Sequence, residues 1–130
     1  KMYLTPGGET QPLLSQEGAL AVATPGLVAG LWEIHRRFGR LSWPQVIQPA
    51  IDLARKGFPL YDHLQVALED RKHLLGVDPE ARRTFLMSDG SVPKLGTVIV
   101  QENLARTLEL IQQKGKEGFY RGPVAEAMIK

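Results

Sequence analysis

Six amphipathic runs punctuated by proline and glycine constrain this chain more than any other feature. In the clearest, Thr24-Pro25-Gly26 precedes Leu27, Val28, Leu31, Trp32, Ile34, His35 and Phe38 at helical spacing, and Gly39 follows. Thr24 is expected to cap the free N–H groups, with Pro25 at the first helical position, where its missing N–H costs nothing. Gly39 is expected to end this helix in a left-handed turn. Gly30 sits mid-helix at a cost of about 1 kcal/mol relative to alanine, which predicts a close packing neighbour.

The other runs follow the same grammar. Ser42-Trp43-Pro44-Gln45 fits a capping box, with Val46, Ile47, Ala50, Ile51 and Ala54 as the apolar face and Gly57 as the stop. Pro49 falls inside that helix and predicts a kink near residues 45–48. A third helix is expected from about Pro59 to Leu75, ended by Gly76. Asp78-Pro79-Glu80 opens a short fourth, because Asp caps and Glu suits the positive helix end. A fifth runs from about Gln101 to Lys114, with Gly115 behind it, and Pro123 opens a sixth containing Val124, Ala127 and Met128. Between them Asp89-Gly90 reads as a turn and Thr97-Val98-Ile99-Val100 as no more than a strand fragment.

Residues 1–23 carry no such pattern and read as an irregular entry segment. Thr5-Pro6-Gly7-Gly8 is a turn by composition. Residues 18–23 are small and apolar, consistent with a buried strand or extended stretch, although periodicity does not separate that from helix. The expected organisation is therefore an irregular segment over 1–23 and a helical part over 24–130, together one incomplete domain of mainly α class. The opening Lys1 and a final helix of only about two turns predict a piece of something longer.

The 130 residues contain no Cys, which excludes disulfide scaffolds, Cys-ligated zinc and thiol catalysis. The net charge of +2 is a small surplus, and the pairs Arg36–Arg37 and Arg82–Arg83 are flanked by Glu33 and Glu80. These read as solvated helix faces rather than a nucleic-acid surface, which needs denser charge and interleaved aromatics. No run approaches the ~20 apolar residues that span a bilayer, and no signal-peptide h-region is visible.

Catalytic constellations are not evident. His63 and His73 lie ten apart, not at the i, i+4 spacing that puts two metal ligands on one helix face, and His35 stands in another helix. Each reads as a surface or satisfied core histidine. Asp62 beside His63 lacks a nucleophile elbow, and Glu69-Asp70 diverge by about 100° on a helix, so the pair reads as a solvated face partnered by Arg71 or Lys72. The Thr24-Pro25-Gly26 helix start could bind an anion or a carboxylate, with capping as its default role.

Whole stretches nevertheless match one family. Residues 18–30, with Gly18, Ala23, Pro25, Gly26 and Gly30, resemble the G-x-x-x-x-G/A-x-P-G-x-x-x-G segment of the γ-glutamyltransferase (γ-glutamyltranspeptidase) family. Phe38-Gly39-Arg40-Leu41-Ser42-Trp43 resembles its Y/H-G-x-L-P-W, with Ser42 in place of a common Pro. Residues 48–59 resemble Q-P-A-I-x-L-A-x-x-G-F-P, residues 104–108 resemble L-A-x-T-L, and residues 119–125 resemble F-Y-x-G-x-x-A. Order and gaps agree along essentially the whole chain.

The resemblance implies a stretch of the family's large subunit: the helical part of an αββα N-terminal-nucleophile hydrolase fold. Its partners would be the remainder of that subunit, the small catalytic subunit made by self-cleavage of a zymogen, and glutathione or another γ-glutamyl donor. It implies no cofactor, no metal, no nucleic acid and no membrane contact for this segment. It also implies that the nucleophilic Thr lies beyond Lys130 and the carboxylate-clamping Arg upstream of Lys1. No catalytic or substrate-binding residue is therefore expected in this chain, and Thr5 and Thr24 are not nucleophile candidates. Bacterial relatives are exported and animal ones membrane-anchored, so the parent could be periplasmic or secreted. The alternative reading is a self-standing helical interaction module. Cut away from its sheets, the helical part is expected to show an exposed apolar face.

Overall fold

The computed structural model describes residues 2–129; Lys1 and Lys130, which bound the two expected segments, lie outside them. Helices α1 (Leu27–Phe38), α2 (Trp43–Lys56), α3 (Asp62–Leu75), α4 (Pro79–Phe85), α5 (Glu102–Lys114), α6 (Glu117–Tyr120) and α7 (Pro123–Met128) make up most of the chain. The strands β1 (Phe58–Pro59) and β2 (Val98–Ile99) and two 3-10 turns, Pro12–Ser15 and Ala19–Ala21, are the other regular elements of the described residues. The mainly α expectation is met.

Most of the punctuation acts as the residue types require. Ser42 and Gln45 close the expected capping box at the start of α2, with Gln45 Oε1 accepting from Ser42 N–H at 3.0 Å. Asp78 Oδ1 accepts from Ala81 N–H at 2.7 Å and caps α4. Gly57 and Gly115 end α2 and α5 at φ 83° and 61°, values that favour glycine. The Asp89-Gly90 turn forms, with Asp89 Oδ1 accepting from the Ser91 N–H and hydroxyl. Helix α2 runs from Trp43 to Lys56 through Pro49, which removes the one bond its N–H would have given to Gln45.

Three expectations fail for definite reasons. The third helix starts at Asp62 rather than Pro59, because Phe58-Pro59 is claimed by an antiparallel pairing, Phe58 opposite Ile99 and Pro59 opposite Val98. Leu60 N–H then donates to Thr97 O and Gly96 N–H to Leu60 O, both at 2.8 Å. Residues 18–23 form no buried strand: Ala19–Ala21 is a 3-10 turn, and Leu20 and Val22 are exposed. Gly39 is not left-handed. Its φ is −67°, and glycine is needed because a Cβ there would lie 2.5 Å from the His35 carbonyl oxygen.

Two small apolar nuclei hold these elements. Leu60, Leu68 and Ile99 are buried together under Phe58, Leu64, Leu75, Phe85 and Val92. Ile51 and Ala54 of α2 and Ala105 and Ile111 of α5 are buried in the other half of the chain. There α2 and α5 pack side by side, tied by Gln101 N–H to Ala54 O at 2.8 Å and Arg55 to Glu109 at 2.5 Å. The entry segment folds back as a turn, with Gly8 N–H donating to Thr5 O at 2.9 Å and Leu4 bridged to Thr10.

Candidate functional site

Side chains that could do chemistry are dispersed. His35 Nε2–H donates to the Leu41 carbonyl at 2.9 Å and its ring stands edge-on to Trp43 at 5.0 Å, so it is a satisfied structural histidine. His63 and His73 are exposed on α3. Asp62 opens that helix, where its charge suits the positive end, and makes no hydrogen bond to His63. Arg71 pairs with Glu17 across 3.9 Å, so the expected partnering of Glu69-Asp70 by Arg71 or Lys72 is not the arrangement found among the described residues. Nor do the described residues contain three or more His, Asp or Glu grouped to hold a metal ion. Thr5 Oγ1 accepts from Glu9 N–H at 3.1 Å inside the entry turn.

Arg36, Arg37 and Arg83 are paired with nearby glutamates, while Arg82 donates to the Ser88 carbonyl at 3.4 Å. Glu33 takes two bonds from Arg36, at 2.9 and 3.1 Å, and one from Arg37 at 2.7 Å. Those bonds, Arg36 first, hold its carboxyl down at about 2 rather than the usual 4.5. Arg83 pairs with Glu80, whose other oxygen accepts from Asn103 at 2.7 Å. The hollow of about 550 Å³ between α4 and the start of α5 is lined by these same groups, already satisfied by one another.

The start of α1 is not a vacant anion site. Thr24 makes no cap; the helix begins at Leu27 with Gly26 as its boundary and no side-chain cap of its own. Instead the Tyr120 hydroxyl accepts from Ala29 N–H at 3.1 Å and donates to Pro25 O at 2.5 Å. Ala29 and Pro25 are the two ends of one i→i−4 rung, and the hydroxyl stands inside it. The predicted neighbour of Gly30 is also missing, since a Cβ there would meet nothing within 4 Å.

These contacts gather the quoted motifs at one corner. Trp43 Nε1–H donates to Ile111 O at 2.9 Å, and Trp32 meets Trp43 edge-on with ring centroids 4.9 Å apart. Gln112 donates to Pro44 O and Gln48 Oε1 at 3.0 and 2.9 Å. So Tyr120 clasps the Pro25-Gly26 start from 95 residues away, and Trp43 of the connector meets Trp32 of α1 and the Ile111 carbonyl of α5. The Tyr120 contact was not legible in the sequence, because nothing local in residues 24–30 names a partner near 120.

Beside that corner lies the surface most in need of a function. Leu27, Leu31, Ile34 and Phe38 of α1 are 50% to 77% exposed, and a groove of about 400 Å³ runs between Leu31, Ile34 and Phe38 and the Val46 and Ile47 side chains of α2. The accessible surface totals 9659 Å², against about 6,800 Å² for a compact monomer of 14.4 kDa. That excess is spread along the chain, entry segment included; the apolar α1–α2 face is one part of it, and its lining suits burial against other polypeptide. The expected exposed apolar face is present.

The gamma-glutamyltranspeptidase family model matches residues 1–130. Among curated relatives, the chain is 40% identical to Glutathione hydrolase 3 of Arabidopsis thaliana over 113 residues, which are 87% of this chain and 18% of that protein. It is 39% identical over 128 residues to the glutathione hydrolase proenzyme of Pseudomonas aeruginosa, covering 98% of this chain and 22% of that one. The solved Helicobacter pylori gamma-glutamyltranspeptidase superposes with a TM-score of 0.92 at 32% identity, over 98% of this chain and 36% of its own. The chain thus spans about a fifth of the length of the curated relatives it matches.

Proposed function

This chain belongs to the gamma-glutamyltranspeptidase family, whose structures are N-terminal-nucleophile hydrolases, and we propose that it is a scaffold segment of a glutathione-cleaving member's large subunit. In this reading the intact protein hydrolyses γ-glutamyl amides such as glutathione, or transfers the glutamyl group to an amino acid or peptide. The relatives' names, glutathione hydrolase and glutathione hydrolase proenzyme, support the substrate class and the zymogen origin.

The chemistry proposed for the intact enzyme is nucleophilic. A Thr hydroxyl freed at a new N-terminus attacks the γ-carbonyl carbon while its own α-amine takes the hydroxyl proton. The tetrahedral oxyanion is held by nearby N–H donors, and the proton passes to the departing amine as the amide bond breaks. Water or an acceptor amine then attacks the acyl-enzyme by the reverse sequence. None of these roles is given to a residue of this chain. Its task is to hold one wall of the enzyme in place through the α2–α5 pair, the Trp32–Trp43 contact and the Tyr120 clasp on the start of α1.

The observation that carries the scaffold role is the bare apolar face of α1 and α2, on a chain with few fully buried apolar residues among those described. The same observation weighs against a self-standing interaction module, which would need a deeper core to be stable alone. The test is release of chromophore from a γ-glutamyl anilide, assayed for the full-length protein and for the 130-residue chain. Turnover by the full-length protein only is expected. Turnover by the short chain, or none by the full-length protein, overturns the reading.

A further inference from the structure

We propose that Tyr120 selects between two alternative starts of helix α1, and so sets the path by which residues 2–24 leave it. The sequence signals one start: Thr24 as cap and Pro25 as first helical residue. The structure shows another, two residues later, with Thr24 making no cap bond. The local conformation does not forbid the first. Gly26 already lies in the right-handed helical region at φ −93° and ψ −11°, and proline's ring fixes φ near the helical value.

What separates the two starts is one rung. In the longer helix Ala29 N–H would donate straight to Pro25 O. Here the Tyr120 hydroxyl takes the N–H at 3.1 Å and gives its own hydrogen to the carbonyl at 2.5 Å. An inserted hydroxyl satisfies both groups while keeping them apart, a recognised cause of helix bending and opening. Tyr120 is placed by its own neighbourhood rather than by α1. Its backbone N–H donates to Lys116 O at 3.1 Å, and Gly118 is buried directly against the Leu110 carbonyl. The next rung, Gly30 N–H to Gly26 O at 3.0 Å, is ordinary. The Val28 N–H has no partner among the described residues, although in the longer helix it would donate to Thr24 O.

The device therefore couples the α5–α6 corner to the entry segment, which is itself tied down by Tyr3 Oη to Leu20 O at 3.0 Å. It holds whatever the substrate of the intact enzyme.

The test is amide-resolved hydrogen exchange in the full-length protein, for wild type, Tyr120→Phe and Tyr120→Phe combined with Thr24→Ala. In Tyr120→Phe the rung should close: Ala29 keeps its protection and Val28 exchanges roughly fivefold more slowly, or slower still, the factor expected for one helix-start bond. Removing the Thr24 hydroxyl as well should reduce that gain, because the longer helix loses its side-chain cap while keeping the Thr24 carbonyl. Faster exchange at Ala29 without slowing at Val28 would make Tyr120 an ordinary cap and overturn the proposal. So would unchanged exchange at both, a gain undiminished by Thr24→Ala, or loss of protection throughout α5.

Discussion

The indole of Trp32 lies directly over Gly115, so close that a Cβ on the glycine would sit 2.8 Å from the ring. The glycine is also at φ 61° and ψ −147°, a region essentially closed to residues with a side chain. One residue thus ends α5, turns the chain into α6 and provides the floor for an aromatic side chain of α1.

Gly115→Ala meets both obstacles at once. Strained backbone and steric overlap together are expected to destabilise the folded protein by about 2–4 kcal/mol. Urea unfolding of the full-length protein would read this as a lower midpoint at unchanged slope. Gly30→Ala, where a Cβ meets open space in this chain, is the contrasting control: in isolation it should be neutral or slightly stabilising.

Trp43→Phe keeps an aromatic ring at the corner and deletes the Nε1–H that Ile111 O accepts at 2.9 Å. A loss of about 1–3 kcal/mol is expected, the range for withdrawing one partner of a part-buried hydrogen bond along with some ring area. A double-mutant cycle with Trp32→Phe should show non-additivity, because the two rings meet at 4.9 Å.

Glu33 makes an acid-pH prediction with a definite sign. Its carboxyl titrates at about 2 in the folded chain, held down by Arg36 and then Arg37. A depressed carboxyl favours the folded state above its unfolded value near 4.5, and that contribution fades as pH falls through about 2. Carboxyl-detected NMR titration should place Glu33 well below the other glutamates. In Arg36→Ala combined with Arg37→Ala its midpoint should return toward 4.5. The site is on the surface, so the accompanying change in stability is expected to be small.

Local chemistry made much of this fold readable. The Ser42–Gln45 box, the Asp78 cap and the glycines at 57 and 115 act within a few residues of themselves, and the helices they delimit match expectation to within a residue or two. Reading failed where a distant residue intervened. Thr24 makes no cap, and a tyrosine 91 residues from Ala29 bonds the first turn instead; the start of α3 was displaced by a pairing with Ile99 that no periodicity in Phe58-Pro59 announces. Gly39 ends α1 without the expected left-handed turn; what it supplies is space beside His35. Of the candidate site, an exposed apolar face was expected from the family resemblance, as helices cut away from their sheets; its location on Leu27, Leu31, Ile34 and Phe38 came from the structure. The Trp32–Trp43 contact and the Tyr120 clasp were not legible, because motifs in order along a chain carry no record of which ones meet.

The account rests on the apolar face of α1 being an internal surface of a larger enzyme. Phe38 is the most exposed residue of that face, and these 130 residues contain no cysteine, so Phe38→Cys, in a full-length background with any other reactive cysteine replaced by serine, gives a single probe. The measurement is the rate of thiol labelling of this variant in the 130-residue chain and in the folded full-length protein. Rapid labelling of the short chain and labelling at least tenfold slower in the full-length protein is the predicted result, since a buried thiol is reached only through opening. Equal rates in the two would contradict it.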